Sequence, residues 1–428
     1  MRSIYFDMVG CRLNQAEIEA FAREFCARGY KIVSKPTAAD LIIVNTCCVT
    51  LKAAADSRKM VRHYQNTTSA RVIGMGCWNS AFPDQGWEIL GMANHFSNEQ
   101  KDQLVETLAE SCSIHKTDQK LNLGRRNRTR AFLKVQDGCN NACSYCLTQI
   151  ARGRSRSISA QSIVETINSL EQAGINEVIL TGVQIGSWGK DFGGERLNDL
   201  LEYILKHTNI PRIRLSSIEP WDITESLAKC WKNKRLCPHM HIPIQSGSDN
   251  ILRSMRRPGN SSEIREVFRM LLKHIAGLAI TTDIIVGFPG ETEESFRETL
   301  DLIESTTLSG GHVFKYSPMP GTAAAAFAHQ VSEAVKKDRL KTVRAMFKTK
   351  RHESMLKLIG SSAEVLFEGG RLGNYKEGYT PDFYRVKISS RETLENSIKT
   401  AKLIGIDEEN NFLGEICGNS VDNSQVSA

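Results

Sequence analysis

CNNACSYC at 139–146 holds three cysteines, Cys139, Cys143 and Cys146, in a Cys-x3-Cys-x2-Cys spacing. Three thiolates on one short loop can hold three irons of a cubane cluster and leave the fourth iron without a protein ligand. A structural zinc site would have four protein ligands, and no His stands nearby in the sequence to supply the fourth. A zinc site completed from a distance and unrelated buried cysteines are the alternatives. The spacing favours a cluster with an open iron that can bind a small molecule.

Length and composition indicate a folded protein of two or three domains, with 428 residues of which 41% are apolar. The first residues, MRSIYFDMVGC, contain a charged residue followed by a predicted strand, and they lack the apolar core of a signal peptide. The longest apolar stretch, 275–288, is interrupted by Thr281, Thr282 and Asp283 and is shorter than the roughly 20 residues of a membrane helix. We expect a cytoplasmic protein with no membrane association. Twelve cysteines in a reducing compartment indicate metal chemistry rather than disulfides.

The net charge of +7 is unevenly distributed along the chain. Residues 124–156 contain eight Lys or Arg and one Asp, and residues 331–360 contain nine basic and three acidic side chains. Residues 361–428 contain seven basic and eleven acidic side chains, so they carry a net negative charge. The two basic segments favour a phosphate-rich partner, although solvated basic faces are the alternative.

Residues 1–110 read as an α/β domain. Strands alternating with helices predict a parallel sheet, whose ligands sit at the carboxyl ends of the strands. The predicted elements are strands at 3–8, 41–46 and 71–76, a helix at 15–28 capped by Asn14, and a helix at 53–64.

Cysteines stand where these three strands end. Cys11 follows the first strand, Cys47 and Cys48 the second, and Cys77 the third. Cys is common in protein cores, so chance placement is an alternative. The strand ends converge on one crevice, and we therefore predict a second three-thiol site from Cys11, Cys47 and Cys77.

Several motifs resemble those of known families. The cysteine loop, with Tyr145 inside its last Cys-x-x-Cys, resembles the signature of radical S-adenosylmethionine (SAM) enzymes. GCRLNQAEIE (10–19), NTCCVT (45–50) and MGCWNS (75–80), placed before such a loop, resemble the methylthiotransferase family within that superfamily.

The resemblance implies two 4Fe-4S clusters and SAM as cofactors. The loop thiols would hold the cluster whose free iron chelates SAM, and the reduced cluster would cleave SAM to a 5′-deoxyadenosyl radical. Cys11, Cys47 and Cys77 would hold an auxiliary cluster. The cysteine after Asn-Thr is the ligand in the family, which makes Cys48 a departure that either competes for iron or packs.

Residues 131–330 read as a series of βα units after a linker at 111–130 with little apolar periodicity. Both the pattern and the resemblance favour a partial (β/α)6 radical SAM barrel, with active residues on the loops after the strands. The predicted elements are strands at 131–138, 177–182, 212–217, 239–247, 280–290 and 311–317, with a helix at 159–173 after ARGRSRS (151–157).

These loops carry polar groups where the resemblance implies SAM contacts. Ordinary loop and cap chemistry is the alternative for each residue taken alone. In YSPMPGTAA (316–324), Met319 stands where the family commonly has Arg. The predicted cofactor-binding residues are Tyr145, Thr181, Gly182, Ser217, Glu219, Gln245, Ser246 and Asp283.

The C-terminal part starts with a basic helix within 331–360, with Leu340, Val343, Phe347 and Leu356 on an apolar stripe. Residues 361–420 read as short strands, and the resemblance implies a small β-barrel that binds RNA. The acidic balance of this region makes it a poor general phosphate binder. We expect the body and the basic helix to supply most of the attraction to RNA, and 421–428 to be disordered.

The resemblance implies an enzyme that methylthiolates an aromatic carbon. One SAM would donate a methyl group to sulfur and another would give the radical. GCRLNQAEIE is most similar to the branch that modifies C2 of N6-threonylcarbamoyladenosine beside the anticodon of tRNA. An electron donor such as flavodoxin or ferredoxin and a sulfur source would be further partners.

Three alternatives remain at this point. Two are other branches of the family, one acting on N6-isopentenyladenosine in tRNA and one on an aspartate of a ribosomal protein. The third is a non-catalytic iron-sulfur protein that binds RNA, which would leave the open iron unused.

Overall fold

The computed structural model describes residues 2–108, 129–369 and 375–417. Its N-terminal domain alternates short strands with helices. These elements are β1 (Ser3–Met8), α1 (Arg12–Ala27), β2 (Lys31–Ile32), β3 (Leu41–Thr46), α2 (Leu51–Thr67), β4 (Arg71–Gly76), α3 (Cys77–Ala81), α4 (Pro83–Leu90), β5 (His95–Phe96) and α5 (Leu104–Leu108).

The strands of this domain form one parallel sheet in the order β2-β1-β3-β4-β5. Successive side chains of a strand point to opposite faces. Leu41 and Ile43 pack with the apolar side of α1, whereas Ile42 and Val44 pack with α2. The sheet is therefore covered on both faces, and β1, β3 and β4 have the predicted limits.

The predicted cap of α1 is wrong. The helix begins at Arg12, and its N-cap is Cys11, whose side chain makes no capping hydrogen bond. Asn14 is fully buried, and its amide donates to the carbonyls of Val9 at 2.9 Å and Thr46 at 3.0 Å. Asn14 thus ties the first turn of α1 to the ends of two strand regions, which the cap pattern does not reveal.

The central domain contains the cysteine loop. The predicted strand 131–138 is divided in two, because the chain turns after Lys134 and Gln136–Asp137 pairs antiparallel with a later strand. The elements are β6 (Arg130–Lys134), β7 (Gln136–Asp137), α6 (Thr148–Arg152), β8 (Arg156–Ser157), α7 (Ala160–Gln172), β9 (Glu177–Thr181), α8 (Leu197–His207), β10 (Arg212–Leu215), α9 (Glu225–Lys229), β11 (His239–His241), α10 (Asp249–Ser254), α11 (Ser261–His274), β12 (Ala279–Val286), α12 (Glu293–Ser305) and β13 (Gly311–Lys315).

Six parallel strands of this domain form the partial barrel. β6, β9 and β10 form one sheet, and β11, β12 and β13 form another. Parallel bridges from Ile213 to Leu236 and from Ser217 to His241 join the two sheets. The strand order is therefore β6-β9-β10-β11-β12-β13, which confirms the predicted radical SAM barrel. The linker predicted at 111–130 lies outside the described residues except at its last two positions, of which Arg130 belongs to β6.

The C-terminal part consists of a long helix and a closed β-barrel with strand order β14-β15-β16-β18-β17. Phe347 and Val343 of the predicted stripe are buried, but Leu356 is 54% exposed because Met355 takes the buried position. The predicted disordered tail, 421–428, lies outside the described residues. The elements are α13 (Glu333–Leu356), β14 (Ser362–Phe367), β15 (Tyr375–Tyr379), β16 (Arg385–Ser389), β17 (Ile398–Ile406) and β18 (Phe412–Ile416).

Arginines of the central domain hold this β-barrel in place. Arg212 Nη1 donates to the Tyr379 carbonyl at 3.0 Å, and Arg214 Nη1 donates to the Pro381 carbonyl at 2.8 Å. Both arginines come from β10, so the loop between β15 and β16 closes against the partial barrel. In the described part of the chain, no helix combines the length and apolarity needed to cross a membrane.

Candidate active site

The thiols of the cysteine loop lie between β7 and α6, close to main-chain N–H groups. The Asn141 N–H donates to Cys139 Sγ and the Thr148 N–H donates to Cys146 Sγ, each at 3.4 Å. The Cys146 N–H donates to the Cys143 carbonyl at 3.1 Å, which closes a turn. Burial, followed by the proximity of Cys146 and Cys143, raises the pKa of Cys139 to about 11. The loop therefore gathers three half-buried thiols, and the N–H neighbours of Cys139 and Cys146 favour thiolate once a metal displaces the proton.

A buried arginine stands beside the loop. Arg257 Nη2 donates to Glu219 Oε2, and its Nη1 lies 3.5 Å from Tyr145 Oη. Its guanidinium lies 4.7 Å from the centre of the Trp221 ring. Burial raises the pKa of Glu219 in spite of Arg257. Glu219 and Tyr145, both predicted to contact SAM, are thus brought together by a residue that the sequence did not single out.

Thr181 and Gly182, at the end of β9, face the start of the cysteine loop. A Cβ on Gly182 would approach Gln136 Oε1 to 2.7 Å, so a side chain there would displace Gln136. Gln136 Oε1 accepts from the Gln184 N–H at 2.9 Å, and its amide donates to the Gly138 carbonyl at 2.7 Å. Gln136 therefore connects the glycine-rich loop to the residue that precedes Cys139.

Gln245 and Ser246 occupy a tight turn after β11. Gln245 has a φ of 67°, an uncommon left-handed conformation for a residue with a Cβ. Its N–H donates to the Asp283 carbonyl at 2.8 Å. Ser246 is fully buried, and its Oγ lies 3.2 Å from Thr299 Oγ1 and accepts from the Ser248 N–H at 3.1 Å. The Ser246 hydroxyl is thus used to shape the turn.

Ser217 and Asp283 both contact His241. Ser217 forms a parallel bridge with His241, and Asp283 Oδ2 lies 3.1 Å from His241 Nε2. Asp283 lies in the middle of β12, in the same register as His312 of β13. Asp283 therefore lies inside a strand, whereas Thr181 is the last residue of its strand.

The thiols of the N-terminal domain lie at the carboxyl ends of adjacent strands. Cys11 follows β1, Cys47 follows β3 and Cys77 begins α3 directly after β4. The three strands are adjacent in the sheet, so their carboxyl ends meet at one edge. Burial, followed by the proximity of Cys77 and Cys11, raises the pKa of Cys47 to about 12. Cys11 is exposed, whereas Cys47 and Cys77 are buried.

Two glycines permit this convergence. Gly10 has a φ of 129°, and a Cβ at this position would lie 2.8 Å from Cys47 Cβ and 3.0 Å from Cys47 Sγ. Gly76 has a φ of 100°, and a Cβ there would lie 2.7 Å from the Thr46 carbonyl oxygen. Both backbones need the left-handed conformation and the close approach that glycine allows.

Cys48 packs in an apolar cluster. Its Sγ donates to the Cys77 carbonyl at 3.3 Å, and its neighbours in the cluster include Trp78 and Leu147. Met319, which stands where the family commonly has Arg, is buried in the same cluster. Leu147 belongs to the segment that leads from Cys146 into α6, so this apolar cluster joins the two domains between the two sets of thiols.

Arg152, at the end of α6, connects Cys77 of the N-terminal domain to the central domain. Its Nε donates to Cys77 Sγ at 3.1 Å. Its Nη1 donates to Glu17 Oε1 at 2.8 Å and to Asp137 Oδ1 at 2.9 Å, and its Nη2 donates to Asn14 Oδ1 at 2.8 Å. Glu17 belongs to α1 and Asp137 immediately precedes the cysteine loop, so one guanidinium holds both domains against each other.

Lysines complete this buried network. Lys101 Nζ lies 2.5 Å from Glu17 Oε1 and 2.7 Å from Asp137 Oδ2, and its side chain is 1% exposed. Lys134 Nζ lies 3.5 Å from Asp137 Oδ2. Burial opposes ionisation of Glu17, but Arg152 and Lys101 hold its pKa well below the usual range. Three cations face two carboxylates, and the excess positive charge lies beside the Cys77 thiol.

Comparison with known proteins agrees with this arrangement. Residues 133–303 match the Radical SAM superfamily, and residues 3–97 match the Uncharacterized protein family UPF0004. The chain is 34% identical to the threonylcarbamoyladenosine tRNA methylthiotransferase MtaB of Thermotoga maritima, over 91% of this chain and 95% of that protein. The chain belongs to the radical SAM methylthiotransferase family.

Two further relatives represent the two branches of the family that modify tRNA, one acting on threonylcarbamoyladenosine and one on dimethylallyladenosine. The MtaB protein of Chlamydia pneumoniae is 34% identical over 95% of this chain and 96% of its own length. The tRNA-2-methylthio-N(6)-dimethylallyladenosine synthase of Ehrlichia ruminantium is 31% identical over 89% of this chain and 91% of its own length. The radical SAM methyltransferase TsrM of Kitasatospora setae has a similar fold, with a TM-score of 0.54 at 16% identity over 74% of this chain and 77% of that one.

The residues present fit the two clusters and SAM that the family implies. Three thiols converge at each site, N–H donors face the loop thiols, and excess positive charge faces Cys77, which suits a cubane that is negatively charged when three thiolates hold it. Within the described ranges, no three His, Cys, Asp or Glu side chains lie close enough to bind a single ion. A cubane does not require such closeness, because each thiolate binds a different iron. The buried hydroxyls of Ser216 and Ser248 have no partner among the described residues and are free to meet a ligand.

Sequence reasoning for this family member missed Arg257 and the function of Arg152. In the sequence, Arg152 is one of the basic residues that favour a phosphate partner. In the structure its side chain is 3% exposed and is bonded to Cys77, Glu17, Asp137 and Asn14. Glu17 and Asp137 lie within quoted motifs, in QAEIE and beside the first loop cysteine. Glu17 lies on an otherwise apolar face of α1. A buried carboxylate needs a charged partner, so this position was the signal in the sequence for a buried cation.

Proposed function

We propose that this protein is a tRNA methylthiotransferase that converts N6-threonylcarbamoyladenosine, beside the anticodon, to its 2-methylthio derivative. One observation carries the proposal: α3, which begins at Cys77, packs against the segment that follows the cysteine loop, and Arg152 of α6 donates to Cys77 Sγ. The relatives named as acting on this nucleoside match nearly the whole chain. A cytoplasmic location accords with this function.

The thiols would hold two 4Fe-4S clusters, one on Cys139, Cys143 and Cys146 and one on Cys11, Cys47 and Cys77. When bound, these groups and SAM supply a carbon radical that removes an inert hydrogen, a sulfur atom and a methyl group. An electron donor such as flavodoxin or ferredoxin and a sulfur source would complete the reaction.

The protein itself positions and shields these groups. Tyr145, Thr181, Gly182, Ser217, Glu219, Gln245, Ser246 and Asp283 are the proposed cofactor-binding residues. Tyr145 and Glu219 are held by Arg257, and Gly182 packs closely against Gln136, which also accepts from the Gln184 N–H. The apolar cluster of Cys48, Leu147 and Met319 excludes water from the junction between the two sites.

Exposed cations on α13 supply the attraction to RNA. Not every basic residue of this helix is available, because Arg339 binds Glu291 at 2.6 Å and Lys350 Nζ donates to the carbonyls of Glu304 and Thr306. The exposed basic side chains of α13 include Lys337, Lys341, Arg344 and Lys348. Each phosphate contact that is lost should reduce the slope of log affinity against log salt by about 1.

Mass spectrometry of tRNA nucleosides from a deletion strain tests this proposal. We expect the 2-methylthio-N6-threonylcarbamoyladenosine signal to disappear and the unmethylthiolated nucleoside to accumulate, with recovery on complementation. Loss of the 2-methylthio-N6-isopentenyladenosine signal instead would support the branch represented by the Ehrlichia ruminantium relative. An unchanged nucleoside profile would overturn the tRNA proposal.

A further inference from the structure

A large polar pocket lies between the partial barrel, α1, α13 and the C-terminal β-barrel. Its volume is about 650 Å³, within the range of about 300–1,000 Å³ that is usual for small-molecule sites. Its lining includes Arg12, His239, His241, His312 and Phe383. None of the residues proposed to hold the clusters or SAM lines this pocket.

Arg12 is the residue that relates this pocket to the chemistry. It directly follows Cys11, one of the three N-terminal thiols, and is the first residue of α1. Its guanidinium carbon lies 5.4 Å from the centre of the Phe383 ring. Among the residues that the structure describes, Arg12 forms neither a hydrogen bond nor an ion pair. A half-buried cation is therefore held at the pocket wall without an anionic partner.

The surroundings of Arg12 favour an anion in the pocket. Arg130 and Arg214 lie close enough to repel Arg12, and their guanidinium carbons lie 5.5 and 4.6 Å from the same Phe383 ring. Asp283 and Glu177 attract Arg12, but Asp283 Oδ2 binds His241 at 3.1 Å and Glu177 Oε1 binds Arg214 at 2.8 Å. Glu177 is thus already paired with an arginine, whereas Asp283 uses Oδ2 for His241 and keeps Oδ1 without a hydrogen bond among the described residues.

Further cations and two carboxylates complete the charged lining of the pocket. Arg351 also lines the pocket, and its guanidinium carbon lies 5.1 Å from the Tyr384 ring. Glu408 and Glu409 line the rim, where Glu409 Oε2 binds Lys387 at 2.9 Å. The interior therefore contains cations and imidazoles, whereas the acidic groups lie at the edge.

Phe383 is held in a conformation that costs energy. It has a φ of 70°, which is strained for an aromatic residue and is found where function requires it. Its ring stacks on Tyr379 at 5.1 Å and lies 5.0 Å from the His239 ring. Phe383 thus forms a rigid wall that fixes the position of the Arg12 guanidinium.

We propose that this pocket binds the anionic N6 substituent of the target adenosine, with Arg12 as the cation that receives its carboxylate. The inference rests on the proposed function. C2 and C6 of the purine are both bonded to N1, so a base that presents C2 beside the Cys11 site places its N6 substituent close by. The threonylcarbamoyl group carries a carboxylate, a hydroxyl and a urea, for which Arg12, His239 and His241 offer polar partners. An apolar isopentenyl group would leave the buried cation without a partner and would bind less well.

Binding of anticodon stem-loop RNA to the cluster-loaded protein tests this inference. The probes are two stem-loops of one sequence, one with N6-threonylcarbamoyladenosine and one with unmodified adenosine. The wild-type protein should bind the modified stem-loop at least about tenfold more tightly. In Arg12→Leu this preference should fall to about twofold or less, and Arg12→Lys should restore part of it. Iron content and visible absorbance of each variant show whether the auxiliary cluster is retained.

Arg344→Leu is the matched control, because Arg344 is an exposed arginine on α13 outside the pocket. It should weaken binding of both stem-loops by the same factor and leave the preference unchanged. If Arg12→Leu also weakens both equally, the pocket receives an RNA phosphate and the inference is overturned, while the proposed function stands. If the wild-type protein shows no preference and no conversion of the modified stem-loop, the proposed function fails as well.

Discussion

The two sets of thiols are built in different ways. Cys139, Cys143 and Cys146 lie within eight consecutive residues, and main-chain N–H groups of the same loop face them. Cys11 and Cys47, by contrast, follow different strands, and the third thiol of that site begins a helix after another strand. The loop site is local in sequence, whereas the N-terminal site exists only when the sheet has formed.

The difference predicts where each site is vulnerable. The loop depends on nearby residues such as Gly138, where a Cβ would collide with the Arg154 carbonyl oxygen. The N-terminal site depends on contacts distant in sequence, including Gly10 against Cys47 and Arg152 against Cys77. Damage to the domain junction should therefore affect the N-terminal site first.

The largest expected effect is the complete loss of one activity when a thiol is replaced. Which activity is lost should differ between the two sets of thiols. Replacing Cys139, Cys143 or Cys146 by Ala should abolish SAM cleavage, whereas replacing Cys11 or another N-terminal thiol should spare cleavage and stop sulfur transfer. The reason is that each site would lose its own cluster, about four irons. Assays of 5′-deoxyadenosine, methylthiolated nucleoside and bound iron measure the three quantities separately.

Cys48→Ala is the matched control for this experiment, because Cys48 adjoins Cys47 but its thiol bonds to a carbonyl. It should retain iron and both activities. Methylthiolated product from Cys47→Ala together with loss of product from Cys48→Ala would reverse the assignment of the ligand. Product from all three N-terminal variants would contradict the two-cluster account.

The difference between local and distant contacts also explains which features can be predicted from the sequence. The strands β1, β3 and β4 were predictable because each is a short apolar run of β-forming residues ending at Gly or Cys. The loop site was predictable from spacing alone. The N-terminal site was predictable because parallel strands end at one edge of their sheet.

Other features depend on partners that the sequence does not identify. Asn14 has the residue type of a cap, but its amide is used by carbonyls of two strand regions. The limits of β15 and β17 are hard to predict, because YKEGY and IKTAKLIGI contain many polar residues and are stable only within a closed barrel. The partners of Arg152 come from two domains, so only the folded junction shows them.

The second largest effect is expected at Arg152. Arg152→Leu leaves the buried carboxylates of Glu17 and Asp137 with Lys101 as their main remaining partner, and breaking such a pair costs about 3–5 kcal/mol. We expect the urea midpoint to fall strongly and the N-terminal site to lose iron before the loop site does. Lys229→Leu is the control, since its pair with Glu225 is exposed and screened by water and contributes little to stability. Equal midpoints for the two variants would show that the junction network does not hold the domains together.

Acid should weaken the same junction by a smaller amount. The folded-state pKa values of Glu17 and Asp137 are lowered by Arg152 and Lys101 against the effect of burial. Their contribution is therefore present above the unfolded pKa of about 4 and is lost as the pH falls toward the folded values. We expect a loss of about 2 kcal/mol between about pH 5 and pH 3, measured by urea unfolding of cluster-free protein. A stability that is constant or rises over this range would contradict the ion-pair assignment.

The smallest expected effects come from two buried serines, one at each site. The Ser57 hydroxyl accepts from the Cys47 N–H at 3.0 Å and donates to the Cys47 carbonyl at 3.0 Å. The hydroxyl of Ser144, in the cysteine loop, donates to the carbonyl of Ser254, at the end of α10, at 2.8 Å. Removing either hydroxyl should cost about 1 kcal/mol, so Ser57→Ala and Ser144→Ala should have similar urea midpoints. The two variants should differ in the activity that they lose. Ser57→Ala loosens the Cys47 turn, so it should lower methylthiolation while SAM cleavage persists. Ser144→Ala should lower SAM cleavage itself. If both variants lower SAM cleavage to the same extent, the two sites are not independent, and the N-terminal site influences the loop site through Arg152.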